Sequence, residues 1–231
     1  MKATQHTTPL ASLHGVSKSY GSASRVTHAL KAVDFEAVAG EVSLLLGPSG
    51  SGKSTLLTIL AGMQRPTSGE VRLFGKQVDD YKPRVLQRLR AARIGFIFQT
   101  FHLVEALTAV ENIIMVLRFN GIRGREASRR AMALLEQFSI GHLANDRPLR
   151  MSQGEKQRVA VARALANEAR LIIADEPTGS LASDQGMAIV KMLREASHDD
   201  SRAIVVASHD IRITKYADAV YHLRDGVLER K

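Results

Sequence analysis

The octapeptide GPSGSGKS, at 47–54, limits what this 231-residue chain can fold into more than any other segment. It matches the phosphate-binding pattern in which two glycines bracket four free positions and a Lys-Ser pair follows. Gly50 and Gly52 let the backbone curl so that several N–H groups point inward at an anion. The amino end of a following helix adds partial positive charge at the same place. Lys53 then reaches the β- and γ-phosphates of a nucleotide, and the Ser54 hydroxyl is placed to ligate magnesium. This works only where a buried strand runs into the loop and a helix leaves it. The run Val42–Leu46 supplies the strand, and residues 53–61, stopped by Gly62, read as the helix.

That strand–loop–helix unit implies a largely parallel α/β core, and the rest of the chain agrees. Short apolar runs at 71–74, 94–98, 171–174 and 203–207 read as strands, with no internal repeat and no low-complexity linker between them. The middle has a different period. Thr108 and Glu111 have capping-box spacing before a helical run that ends near Gly121. Ala127, Ala131, Leu134, Leu135 and Phe138 form an amphipathic stripe closed by Gly141. Ser152 and Glu155 repeat the capping-box pattern before the apolar stretch 159–165. Residues 100–165 therefore read as a helical subdomain set into a core lobe made of 1–99 and 166–231, all within one domain.

LIIADE, at 171–176, is an apolar strand that ends in two carboxylates. Behind a phosphate loop this pairing has a use. Asp175 can hold magnesium, directly or through water, and Glu176 can polarise an attacking water.

Composition removes several alternatives. The chain has no cysteine, so disulfides and thiolate metal sites are excluded. Apolar runs such as 113–117 and 203–207 are far too short to cross a membrane, and the polar stretch 1–9 has no apolar centre of the kind a signal peptide needs. Any membrane role must come through a partner. The formal net charge of +9 is read as a solvated basic face rather than a nucleic-acid footprint.

Taken together these segments resemble the ABC transporter ATP-binding family over nearly the whole chain. Residues 47–54 match its Walker A motif and 171–176 its Walker B motif. Gln99, after a strand, matches the Q-loop glutamine, and MSQGE at 151–155 matches the signature LSGGQ. His209 in ASHD matches the switch histidine, and Tyr20 in KSYG matches the aromatic that stacks on adenine. The resemblance implies a P-loop NTPase of the ABC ATPase fold, with a RecA-like core, an antiparallel β-subdomain and a helical subdomain. It implies ATP hydrolysis by Lys53, Gln99, Glu176 and His209, with magnesium held by Ser54, Gln99 and Asp175. ATP would contact Tyr20, Gly47, Pro48, Ser49, Gly50, Ser51, Gly52, Lys53, Ser54 and Thr55 of one copy. Ser152, Gln153, Gly154 and Glu155 of a second copy would close on the same nucleotide.

The implied partners are that second copy and a separate transmembrane permease subunit, with no nucleic acid, at the cytoplasmic face of the cell membrane. QTFHLVEALTAVEN and DEPTGSL resemble the subgroup that serves lipoprotein-releasing, macrolide-export and cell-division complexes. In the family the segment from Gln99 onward docks the membrane subunit, so Leu103, Val104 and Leu107 are candidates for that groove or for the core. Arg118, Arg123, Arg125, Arg129 and Arg130 read as a solvated face. Two departures stand out. Gln153 replaces a usual glycine of the signature, and Ala182, in SLAS, replaces the usual aspartate of the D-loop. Two alternatives stay open: a cell-division regulator, and a nucleic-acid-associated ATPase, although the latter usually carries a coiled-coil insert or two ATPase domains.

Overall fold

The computed structural model describes residues 8–22, 25–167, 169–179, 181–197 and 202–231. Most of the amino-terminal stretch 1–9, and Ser180 of SLAS, lie outside the described residues.

Two sheets and a helical layer make up the chain. The first sheet contains β1 (Ala11–Ser22), β2 (Arg25–Ala37), β4 (Ser68–Leu73) and β5 (Lys76–Gln77), in the order β2-β1-β4-β5. It is antiparallel throughout, with register shifts in β1 after Leu13 and Val16. The second sheet has the order β10-β9-β3-β8-β7-β6. Its strands are β3 (Val42–Leu46), β6 (Ile94–Ile97), β7 (Leu171–Asp175), β8 (Ala203–Ser208), β9 (Ala219–Arg224) and β10 (Val227–Arg230). All neighbours in it are parallel except the β9–β10 hairpin. The fold class is thus mixed α/β, with an antiparallel sheet beside a mainly parallel one, as expected.

Near-continuous apolar runs mark strands covered on both faces. Alternate residues of the parallel sheet enter two separate cores. Leu45, Ile173 and Val205 face α1 (Lys53–Leu60) and the antiparallel sheet. Leu44, Ile172 and Val206 face the other side, toward the helical layer. That layer includes α3 (Ala109–Phe119), α4 (Gly124–Gln137), α5 (Gln153–Leu165) and α6 (Ser183–Ser197). Both capping boxes form as their spacing requires. Thr108 and Glu111 open α3, and Ser152 and Glu155 open α5, each pair exchanging side-chain and backbone bonds. In α4 the stripe residues Ala127, Ala131 and Leu135 are buried.

One helix escapes sequence reading. α2 (Pro83–Arg93) contains no fully buried residue, so its sequence carries no strong apolar stripe. It is held by other means. Arg90 donates to the Gly62 carbonyl at 2.8 Å, and the amides of Asn120 and Asn167 both donate to the Ala91 carbonyl, at 2.9 and 2.8 Å.

Candidate functional site

Three adjacent parallel strands, β3, β8 and β7, end side by side. A crevice beyond the carboxyl ends of such strands is where open α/β sheets bind ligands. The loop 47–52 leaves β3, His209 follows β8, and Asp175 and Glu176 end β7. The topology therefore brings together residues more than 120 positions apart.

Gly52 is the amino-terminal cap of α1 and sits at φ 107°, a conformation that disfavours any side chain. A Cβ there would lie 2.3 Å from the Ala29 carbonyl oxygen, so glycine is required twice over. Lys53 is buried, and its Nζ donates to the carbonyls of Gly47 (2.7 Å) and Pro48 (3.1 Å). The same Nζ lies 3.2 Å from Glu176 Oε1. The other carboxylate oxygen, Oε2, is 3.0 Å from Nδ1 of the exposed His209. Glu176 itself adopts φ 47°, a left-handed conformation that costs of order 1–3 kcal/mol for a non-glycine residue. Its backbone is clamped there, with N–H donating to Ala207 at 2.9 Å and C=O accepting from Gly179 at 3.1 Å.

Next to it, burial pushes the Asp175 carboxyl above the usual carboxylate range, and the charge of Glu176 pushes the same way; a hydrogen bond from Ser54 and the charge of Lys53 pull against this. One oxygen, Oδ1, is buried with no hydrogen-bond partner. A buried carboxylate with an orphaned oxygen, beside a hydroxyl, fits a hard divalent cation that takes its remaining ligands from phosphate and water. Gln99 lines the same cleft as Lys53, Ser54, Glu176 and His209. At the edge, the Tyr20 hydroxyl donates to Gln64 at 3.0 Å and lies 3.4 Å from the Thr55 hydroxyl, and the residue is 42 % exposed.

Ser152, Gly154 and Glu155 are elsewhere. They line a second cleft with His142, Arg158 and Gln185, and no residue lines both clefts. Gln153 is exposed beside it, and Ala182 is exposed just before α6. The backbone N–H of Ser152 holds the Glu155 carboxyl below its ordinary range, helped by the Ser152 side chain, so Glu155 is an anion at the amino end of α5. The candidate residues of the one chain therefore fall into two separate clefts.

Arg163 is a residue that sequence reasoning missed. It lies on the apolar helix α5 and is 9 % exposed. Its guanidinium donates to the carbonyls of Phe101 (2.7 Å) and His102 (2.5 Å), two consecutive residues at φ 61° and 46° just after Gln99. It thus ties the helix that begins at Ser152 to the loop that carries Gln99. Arg163→Ala is expected to cost about 2–3 kcal/mol in a urea melt, because two carbonyls lose their charged donor. An unchanged midpoint would show that water replaces the guanidinium without loss.

The candidates from 103 to 107 divide. Leu103 packs against the larger core, while Val104 is 39 % exposed and Leu107 half-buried. Val104 is pinned through its backbone to the buried Asn112, at 2.8 Å from N–H and 3.2 Å to C=O. Arg118, Arg123, Arg125 and Arg129 are exposed, and Glu126 pairs with Arg129 and Arg130.

Known proteins resemble this chain in sequence and fold. The sequence profile described as ABC transporter matches residues 30–179. Over 221 residues the chain is 40 % identical to a lipoprotein-releasing system ATP-binding protein, LolD 2, of Caulobacter vibrioides, covering 96 % of this chain and 97 % of that one. It is 37 % identical to the macrolide export ATP-binding/permease protein MacB of Agrobacterium fabrum, across 96 % of this chain but 34 % of that protein. A solved structure of the ATP-binding cassette MJ0796 of Methanocaldococcus jannaschii, described as a dimeric post-hydrolysis state bound to ADP and Pi, superposes with a TM-score of 0.89 at 38 % identity, covering 95 % of this chain and 97 % of that one.

Proposed function

We propose that this chain, which belongs to the ABC transporter family, is the ATP-binding and ATP-hydrolysing subunit of a membrane transport or mechanotransmission complex of the lipoprotein-release and macrolide-export kind. It works as a homodimer that closes on ATP and drives a separate permease subunit. The observation that carries this reading is the separation of the two clefts. One copy offers Lys53, Glu176 and His209, and the second offers Ser152 and Gly154. A two-fold pair brings each phosphate cleft against the other copy's signature turn and buries two nucleotides.

In this reading ATP is the substrate. Its γ-phosphate takes the place of the Glu176 carboxylate at Lys53, which frees Glu176 to orient a water. Ser54, Gln99 and Asp175 would hold magnesium, which would supply positive charge against the phosphates. His209 stands beside Glu176 and steadies it. Tyr20 offers its exposed ring to the base. The helical part, residues 100–165, carries the signature turn and moves with α5, while 1–99 and 166–231 carry the phosphate chemistry. Loss of the γ-phosphate removes what joins the copies, so the dimer opens; ATP acts as a ligand that favours one of two states.

Among the described residues no helix is long and apolar enough to cross a membrane. In this reading the chain associates with the membrane peripherally, through the permease, at its cytoplasmic face. The test is to isolate the tagged protein from detergent-solubilised native membranes and identify the chain that comes with it. A partner with few spans and a large extracytoplasmic domain is expected. A partner with many spans and little outside the membrane would move the chain to another transporter group.

The two sequence departures bear on coupling. Gln153 adds bulk beside the incoming phosphate, and Ala182 lacks a side chain that would organise the interface. Ala182→Asp combined with Gln153→Gly is expected to raise basal ATP turnover about threefold, less than 1 kcal/mol in barrier. An unchanged kcat would mean that neither residue limits closure.

A further inference from the structure

Three consecutive residues near the tip of β1 are tied to the segment 64–67, which leads from α1 to β4. Lys18 Nζ donates to the Arg65 carbonyl at 2.8 Å, the Ser19 N–H donates to the Thr67 hydroxyl at 3.1 Å, and the Tyr20 hydroxyl donates to Gln64 Oε1 at 3.0 Å. The Thr67 N–H closes the set on the Ser17 carbonyl at 2.8 Å. The register between β1 and β2 shifts between Lys18 and Ser19, and such an irregularity re-aims the side chains beside it. Tyr20 lies just past that shift, so its ring is aimed by these ties as well as by the sheet.

The tie through Gln64 differs from the others, because Gln64 is itself fixed to α1. The N–H groups of Met63 and Gln64 both donate to the Thr58 carbonyl, at 2.9 and 3.2 Å, and the Thr58 hydroxyl reaches Gln64 Oε1 at 3.2 Å. Thr58 stands on α1, the helix that begins at Lys53 as the phosphate loop ends. One amide oxygen therefore joins the Tyr20 ring to the helix that leaves the loop. The other contact of the Tyr20 hydroxyl, with Thr55 at 3.4 Å, is longer than an ordinary O–H···O bond, so Gln64 is the main anchor. The Lys18 ammonium stands over the ring, 5.3 Å from its centroid, and occupies one face. A planar ligand is left with the opposite face.

We infer that Gln64 is a positioning residue for the nucleoside end of the ligand: it sets the spacing between the aromatic platform of Tyr20 and the phosphate loop. The inference rests on the reading of Tyr20 as the residue that receives the base. A nucleoside di- or triphosphate must meet platform and loop at once, and its own length fixes how far apart they can be. A ring already held at that spacing gives up little freedom when the base arrives, so more of the stacking energy appears as affinity. Gln64 touches neither base nor phosphate in this scheme; it acts through the Tyr20 hydroxyl. Its effect therefore falls on ligands that carry a base and passes over those that carry phosphate alone.

Calorimetric titration of the full chain with ADP and with inorganic pyrophosphate separates the two ends of the ligand, and neither probe is hydrolysed. Gln64→Leu is expected to weaken ADP about fivefold and to leave pyrophosphate within about twofold of its starting affinity. Tyr20→Phe, which keeps the ring and loses its hydroxyl, should match it. The double variant should be no weaker than either single one, because all three lose the same bond. Gln64→Glu keeps an acceptor at that position and should bring ADP back to within about twofold of the unaltered chain. Tyr20→Ala, which removes the platform itself, should be weakest, by about tenfold. Equal losses of ADP and pyrophosphate in Gln64→Leu would put Gln64 to work at the phosphate loop and overturn the inference. Unchanged ADP affinity in that variant, additive losses in the double variant, or a Gln64→Glu chain as weak as Gln64→Leu would overturn it too. If Tyr20→Ala binds ADP normally, the base reading of Tyr20 fails first and this inference fails with it.

Discussion

Glu176→Gln is expected to bind ATP, to lose turnover by a factor of about a thousand or more, and to accumulate as a closed dimer. The geometry explains why the three effects go together. The carboxylate stands between Lys53 Nζ, at 3.2 Å, and His209 Nδ1, at 3.0 Å, and is largely buried. An amide fills the same space but cannot accept a proton from water, so the chemical step loses its base. The loop that binds phosphate is untouched, so affinity for ATP stays. The amide also removes a negative charge from the neighbourhood of the γ-phosphate and from Lys53, which favours the bound nucleotide. With hydrolysis blocked, nothing reopens the pair. Phosphate release and light scattering after size exclusion measure the two halves of this result. A variant that remains monomeric in saturating ATP would remove the two-copy model, and one that keeps its turnover would remove Glu176 from the chemistry.

Lys53→Ala should lose ATP binding, or lower kcat by about a hundredfold or more. Lys53 has two tasks that a measurement can separate. Its Nζ closes the loop through the Gly47 and Pro48 carbonyls, and it supplies the cation that meets Glu176 and, in the proposed reading, the γ-phosphate. If the lysine only held the loop, the variant would melt earlier yet bind ATP with near-normal affinity. If it is the phosphate ligand, affinity or turnover falls even at temperatures well below the melt. Normal hydrolysis would leave the phosphate loop without a function. Lys53→Arg should not restore activity, since the longer, planar guanidinium does not reproduce the compact ammonium that the buried site holds between the two carbonyls.

These two outcomes concern the part of the protein most legible in its sequence. The strand Val42–Leu46, the loop and α1 are contiguous, and their signals are local: an apolar run, glycines where the chain must turn, a helix that begins at Lys53. The helices α3 and α5 were equally readable, because a capping box is a four-residue pattern and both boxes form. β1 and β2 were not, since their ladder is broken by register shifts and their outward residues are polar. α2 was hidden for the opposite reason to a core helix: with no fully buried side chain, it leaves no periodic mark. Arg163 was hidden because the partners of its guanidinium lie 61 and 62 residues away, on backbone carbonyls that have no sequence signature.

By itself the sequence determined the local chemistry: which residues can cradle a phosphate, which strand ends in acids, and which turns can cap a helix. Each of these depends on neighbours within a few positions, where backbone geometry leaves little choice. Tertiary structure alone decided which of those groups meet. Placing β3, β8 and β7 side by side puts Glu176 within hydrogen-bonding reach of both Lys53 and His209. The same fold sends Ser152 to a different cleft, away from Lys53 and Glu176. Strand order is set by which buried faces pack together across the whole chain, and no short segment contains that information.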